Sequence, residues 1–149
     1  MLPARFEYHR PGSLDEATAL LDRFGDEGKV LAGGMSFIPL MKLRFAAPGH
    51  LVDINRISDL SGIEESEGWL RVKSVTRHNE IAGSDLVKSR YPAMATAAPL
   101  IADPIVRNMG TIGGSLAHAD PAGDWGSVML ALGPQLVRGP GDPGRRPVR

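Results

Sequence analysis

Twice along this chain a short apolar run gives way to paired glycines, first at Gly33-Gly34 and again at Gly113-Gly114. Paired glycines admit φ > 0 and let backbone approach closely, so no long helix or strand is expected to run through either point. The first fifty-odd residues, on either side of the first pair, spell out short elements. Phe6 to Tyr8 reads as extended. Ser13 and Glu16 form a Ser-x-x-Glu capping box, followed by Leu14, Ala17, Leu21 and Phe24 on one helical face and by Gly25 as a stop. Lys29 to Ala32 reads as a strand, Phe37 to Phe45 as a short helix or irregular turn, and Leu51 to Ile54 as another strand. This β-α-β-turn-β order predicts a small, largely parallel sheet.

The second half has a different grain. Gly62–Glu65 and Trp69–Val75 suggest a hairpin turning at Ser66-Glu67-Gly68. Thr76 is the expected N-cap of a helix to about Ala82. Pro92 suits the first position of a helix reaching Leu100, with Pro99 weakening its end. Ile101 to Ala119, rich in Gly, Asn, Thr and Ser, shows only short apolar pieces. Asp120-Pro121 signals a helix start, after which Trp125, Val128, Met129 and Leu132 share one face.

Composition narrows the functions. Apolar residues make up 42% of the 149, enough for a core, and 17 basic residues balance 17 acidic ones, so a nucleic-acid binder is not indicated. The absence of cysteine excludes thiolate zinc sites and protein-held iron–sulfur clusters. No apolar stretch suits a signal peptide or a membrane span, which makes a cytoplasmic protein the expectation. From Gly133 to Arg149 the chain carries four Gly, four Pro and four Arg against one acid, Asp142, and reads as a frayed tail or a domain cut short.

Each glycine pair has a plain reading and a chemical one. Leu31-Ala32-Gly33-Gly34-Met35-Ser36 is either a tight turn or a nest of N–H groups for an anion, with the Ser36 hydroxyl as an added donor. Along Thr111-Ile112-Gly113-Gly114-Ser115, a diphosphate could be held by backbone N–H groups and the Thr111 and Ser115 hydroxyls. No basic residue lies between Gly110 and Gly123 to clamp it. P-loop and Rossmann spacings are absent, and Ser115 lacks the final glycine of a nucleophile elbow. The histidines, His9, His50, His78 and His118, are scattered, and only His118-x-Asp120 looks like a ligand pair.

Together the motifs resemble one family. Ala32-Gly33-Gly34-Met35-Ser36-Phe37-Ile38-Pro39-Leu40-Met41-Lys42 and Thr111-Ile112-Gly113-Gly114-Ser115-Leu116-Ala117-His118-Ala119-Asp120-Pro121 resemble the two glycine segments of the FAD-binding subunits of molybdenum hydroxylases. Phe6 to Pro11, Leu51 to Ile54 and Ile101 to Gly110 stand in the family's order, and the likeness runs from Met1 to Leu132. The resemblance implies an α+β, two-lobed FAD-binding domain of the vanillyl-alcohol-oxidase-like type, here with its second lobe incomplete. The small, mainly parallel lobe would occupy 1–55, a partial antiparallel lobe with the second glycine motif 56–132, and the tail 133–149.

The implied FAD contacts are the turn Ala32, Gly33, Gly34, Met35 and Ser36, flanked by Val30, Leu31 and Phe37. Thr111, Gly113, Gly114 and Ser115 would complete the cradle. His118 would lie along the cofactor, Asp124 would hold ribityl or ribose hydroxyls, and Leu100-Ile101 would pack against the flavin ring. Met35 departs from a position that is often polar in the family. The implied function is electron transfer from iron–sulfur clusters of a small subunit, through FAD, to an external acceptor. The substrate is oxidised at a molybdenum–pterin centre in a large subunit, so no catalytic side chain is expected here. The alternatives are a truncated relic, a nucleotide- or phosphate-binding module without FAD, and a stand-alone flavoenzyme. Pro39-x-Met41-Lys42 and the Ile101 to Gly110 segment argue against the last.

Overall fold

A computed structural model describes residues 2–134. The tail anticipated from Gly133 onward lies outside the described residues from position 135.

The first fifty residues follow their apolar pattern. Strands β1 (Glu7–His9), β2 (Gly28–Leu31) and β3 (His50–Asp53) form a wholly parallel sheet in the order β1-β3-β2. Helix α1 (Leu14–Phe24) starts where the Ser13 hydroxyl accepts from Glu16 N at 3.2 Å, while the Glu16 carboxylate accepts from Gly12 N at 2.7 Å. It ends at Gly25, which takes φ 52°. Alternation along the strands sends side chains to both faces. Val52 packs with Ala17 and Ile57 under α1; Leu51 and Leu31 pack with Met41 of α2 (Phe37–Lys42) on the other side.

The second half has an antiparallel hairpin, β4 (Ile63–Ser66) and β5 (Trp69–Val72), but most of its core is helical. The helices are α3 (His78–Gly83), α4 (Asp85–Arg90), α5 (Pro92–Ala97), α6 (Pro104–Met109), α7 (Ile112–His118) and α8 (Asp124–Leu132). Ile81, Val87, Met94, Ala98, Ile101, Ile112 and Trp125 form its buried centre. Val128, Met129 and Leu132 pack on that centre as the helical face of α8 requires.

Two local expectations are corrected, and one unassigned segment proves helical. Thr76 does not cap α3: it is fully buried, and its hydroxyl bonds the N–H and carbonyl of Gly62, both at 3.0 Å. Arg77 is the N-cap residue, and the Glu80 carboxylate accepts from its N–H at 2.9 Å. The 101–119 segment, to which the sequence assigned no element, contains two helices, begun by the side chains of Asp103 and Thr111. Asp120-Pro121 does not open α8; those residues form a turn, closed by Gly123 N donating to Asp120 O at 2.9 Å, and the helix begins at Asp124.

Candidate functional site

The C-terminal ends of β2 and β3 point the same way, because the strands are parallel. In open α/β sheets that edge is where ligands are held. After β2 the chain turns through Ala32–Ser36 before entering α2. Gly34 takes φ 75°, a conformation that β-carbons disfavour. Among the described residues, the N–H groups of Gly33, Gly34, Met35 and Ser36 donate to no protein acceptor. Ser36 is exposed and its hydroxyl makes no hydrogen bond within the described residues. The turn therefore holds consecutive unpaired donors, that of Gly33 at a buried residue and those of Gly34, Met35 and Ser36 at partly or fully exposed ones, the pattern of an anion nest.

The second glycine segment lies against this turn. A β-carbon on Gly33 would sit 2.5 Å from Met109 O and 2.7 Å from Gly110 Cα, and one on Gly114 would lie 3.8 Å from Ala32 Cβ. Its donors, however, are already used. Ile112 N donates to Thr76 O at 3.1 Å, Gly113 N to Ser74 O at 2.8 Å, and Ser115 N to Thr111 O at 3.0 Å. Gly114 N donates to the Thr111 hydroxyl at 3.2 Å, and Thr111 is 2% exposed. Gly113 is small because the Ser74 backbone presses on it: a β-carbon would meet Ser74 O at 2.6 Å. The N–H cradle expected along Gly113–Ser115 is thus spent inside the protein. The segment backs the first turn and leaves it to supply the free donors.

The other named residues are dispersed. Leu31 is core, Phe37 and Met35 are half-buried, and Val30 is 45% exposed. Of the Leu100-Ile101 pair, Ile101 is buried in the helical core while Leu100 is 74% exposed. His118 ends α7 and Asp124 begins α8; both are exposed, and neither side chain is hydrogen bonded among the described residues.

Sequence reasoning missed the polar chain that fixes the turn. Asn55, just past β3, donates through Nδ2 to Ala32 O at 2.6 Å and to Asp53 Oδ1 at 2.7 Å. Arg77 donates to Asn55 Oδ1 at 2.7 Å and also to Met109 O. Tyr8 donates from its hydroxyl to Asp53. Burial pushes Asp53 up, but the hydrogen bonds from Tyr8 and Asn55 outweigh it and hold the carboxyl below its usual value. The position of Asn55 at the end of a parallel strand was the available signal. Nearby, Trp125 Nε1 donates to His78 Nδ1 at 3.0 Å. His78 titrates below the usual histidine value, through burial first and the Arg77 charge second, against a smaller opposing pull from Asp124.

This arrangement coincides with a family match. Residues 4–146 match the model of the FAD binding domain in molybdopterin dehydrogenase. The chain belongs to that family. It is 50% identical to the carbon monoxide dehydrogenase medium chain of Hydrogenophaga pseudoflava over 99% of its length and 51% of that relative's. It also superposes on a chain of reconstituted CO dehydrogenase from Oligotropha carboxidovorans with a TM-score of 0.88 at 44% identity, covering 91% of this chain and 47% of that one. Quinoline 2-oxidoreductase from Pseudomonas putida 86 matches with a TM-score of 0.77 at 36% identity, over 80% of this chain and 42% of that one. The chain spans about half the length of the curated relatives it matches. It has the α+β fold of these FAD-binding chains, and FAD is the family's cofactor. The free donors of Gly33–Ser36 fit the anionic diphosphate of that cofactor. Among the described residues no helix is long and apolar enough to cross a membrane.

Proposed function

We propose that this chain is the FAD-binding part of an electron-transfer subunit in a molybdenum-containing hydroxylase or dehydrogenase. The observation that carries the reading is the Gly33–Ser36 turn, which rests on the second glycine segment at Gly33 and leaves its N–H groups without protein acceptors, in a chain of this family. Bound FAD supplies the redox chemistry. The protein's own residues bind and orient it. In this reading Gly33, Gly34, Met35 and Ser36 receive the diphosphate, with Val30, Leu31, Ala32 and Phe37 flanking them. Thr111, Gly113, Gly114 and Ser115 form the wall behind, and Ile101 supports the apolar side from within the core. His118 and Asp124 are exposed and without a protein hydrogen bond among the described residues; His118 lies along the cofactor in this reading, and Asp124 holds its ribityl or ribose hydroxyls. The division falls at 1–55 and 56–132.

The partners in this proposal are a cysteine-rich iron–sulfur small subunit and a molybdenum–pterin large subunit, all in the cytoplasm. The names of the relatives, medium chains and FAD-binding subunits, support a multi-subunit setting. The absence of cysteine here is in keeping with clusters held elsewhere. Purification from the native host tests both halves of the reading. The expected product shows the visible bands of bound flavin and contains iron and molybdenum. A product saturated with its partners but colourless at the flavin bands would remove the cofactor assignment. A flavin-bearing product without iron or molybdenum would remove the partners.

A further inference from the structure

Glu7 and His9 stand two residues apart on β1, so their side chains leave the same face of the sheet. His50 on β3 pairs in register with Glu7 and shares that face. The three donor atoms converge: His9 Nε2 lies 3.2 Å from His50 Nδ1, and Glu7 Oε2 lies 3.5 Å from His50 Nδ1 and 3.9 Å from His9 Nε2. A triangle with those sides has its centre about 2.1 Å from every corner, the bond length of zinc to imidazole nitrogen and carboxylate oxygen. The rings are also held in place. Phe24 of α1 stacks on His50 with centroids 3.8 Å apart and planes 3° from parallel, and lies 4.7 Å from the His9 ring. Side-chain exposure is 23% for His9 and 25% for His50 against 73% for Glu7, so the two imidazoles sit in the sheet–helix seam and the carboxylate closes over them from solvent.

We propose that Glu7, His9 and His50 form a binding site for a first-row divalent cation, zinc above all, bound through Glu7 Oε2, His9 Nε2 and His50 Nδ1. A hydrogen bond between the two histidines would account for the 3.2 Å contact alone. An ion pair of Glu7 with a protonated imidazole would account for the carboxylate as well, and zinc titration separates the two readings. Borderline nitrogen donors favour zinc and its neighbours over magnesium or calcium, which take oxygen ligands. Three protein ligands leave a fourth position for water. The ion would clamp β1 to β3 on the face turned away from Tyr8, and so away from the chain that fixes the glycine turn. The site is independent of the flavin reading.

Calorimetric titration of the chain, free of any polyhistidine tag, with ZnCl2 tests this. Absorption of a Co²⁺-loaded sample gives a second readout. One equivalent should bind, raise the melting temperature and give the visible d–d bands of Co²⁺ held by nitrogen and oxygen. Glu7→Gln, at an exposed position, should keep the fold and weaken zinc binding at least about tenfold. His9→Phe keeps a ring beside Phe24 and should abolish binding. An absence of saturable zinc binding in the wild-type chain overturns the proposal, as does equal affinity in wild type and in folded Glu7→Gln and His9→Phe proteins.

Discussion

Ser36 and Thr111 are both hydroxyl residues beside glycine pairs, and the structure gives them different work. Thr111 is buried and its oxygen accepts from Gly114 N; Ser36 is exposed with no protein partner. A residue with no partner in the protein contributes little to folding, whereas a hydrogen bond to a charged group is worth about 1.5–3 kcal/mol. Ser36→Ala is therefore expected to leave unfolding free energy within about 0.5 kcal/mol of wild type. In the protein purified from its native host it should weaken FAD retention about tenfold or more. Thermal melts and flavin content of the same preparations check this. Unchanged flavin retention would show that the hydroxyl does not face the diphosphate. Glycine-to-valine changes at Gly33, Gly113 or Gly114 would not report on the cofactor, since an added β-carbon there meets the protein itself at 2.5–2.7 Å.

At the scale of elements, α7 shows how a glycine-rich stretch becomes a helix. Two consecutive glycines in a seven-residue helix cost about 1 kcal/mol each relative to alanine. Docking offsets this: Ile112 enters the core, the Gly113 backbone lies on Ser74, and Thr111 caps the first turn. Thr111→Ala should therefore destabilise the protein by about 0.5–2 kcal/mol in urea unfolding, with Thr111→Ser recovering most of the loss because the accepting oxygen returns. Equal losses for Ala and Ser would assign the effect to the methyl group's packing instead.

Parallel sheet, α1, the hairpin and the apolar face of α8 were legible because each has a pattern of its own: a capping box, alternation, or four apolar residues at helical spacing. Helices α6 and α7 were not. Six or seven residues give fewer than two turns, too short for periodicity to speak, and their glycine and asparagine content points to loop. The caps, Asp103-Pro104 before one and Thr111 before the other, are the only local signals these two helices carry. Thr76 misled for the opposite reason. It has the chemistry of a cap, but its hydroxyl is committed across space to Gly62. The glycine pairs were legible as sites of close approach. What approaches Gly33 and Gly113 is distant backbone, Met109–Gly110 and Ser74, which a local reading of sequence cannot contain; Gly34 and Gly114 meet the nearby side chains of Ile38 and Thr111.

Among the described residues, one polar route between the parallel sheet and the helical half passes through Arg77. From Tyr8 and Asp53 on the parallel sheet, hydrogen bonds run to Asn55, which holds the Ala32 carbonyl of the glycine turn. They continue to Arg77 at the head of α3 and to Met109 O at the end of α6. An amide and a guanidinium joined at 2.7 Å in a half-buried setting should not act independently. Removing either leaves the other's polar atoms short of a partner, so the second removal costs less than the first. A double-mutant cycle of Asn55→Ala and Arg77→Leu is expected to give a coupling energy of about 0.5–3 kcal/mol in urea unfolding. Arg77→Leu should also lower FAD retention in the native-host complex, although Arg77 is not among the residues proposed to touch the cofactor. It acts there through Asn55, by holding the turn at Ala32. Arg77→Lys should recover little of this, because a single ammonium lacks the fork that reaches Asn55 and Met109 together. Strict additivity of the two substitutions, with flavin content unchanged in each, would show that the halves are joined by apolar packing and that this polar route carries no coupling.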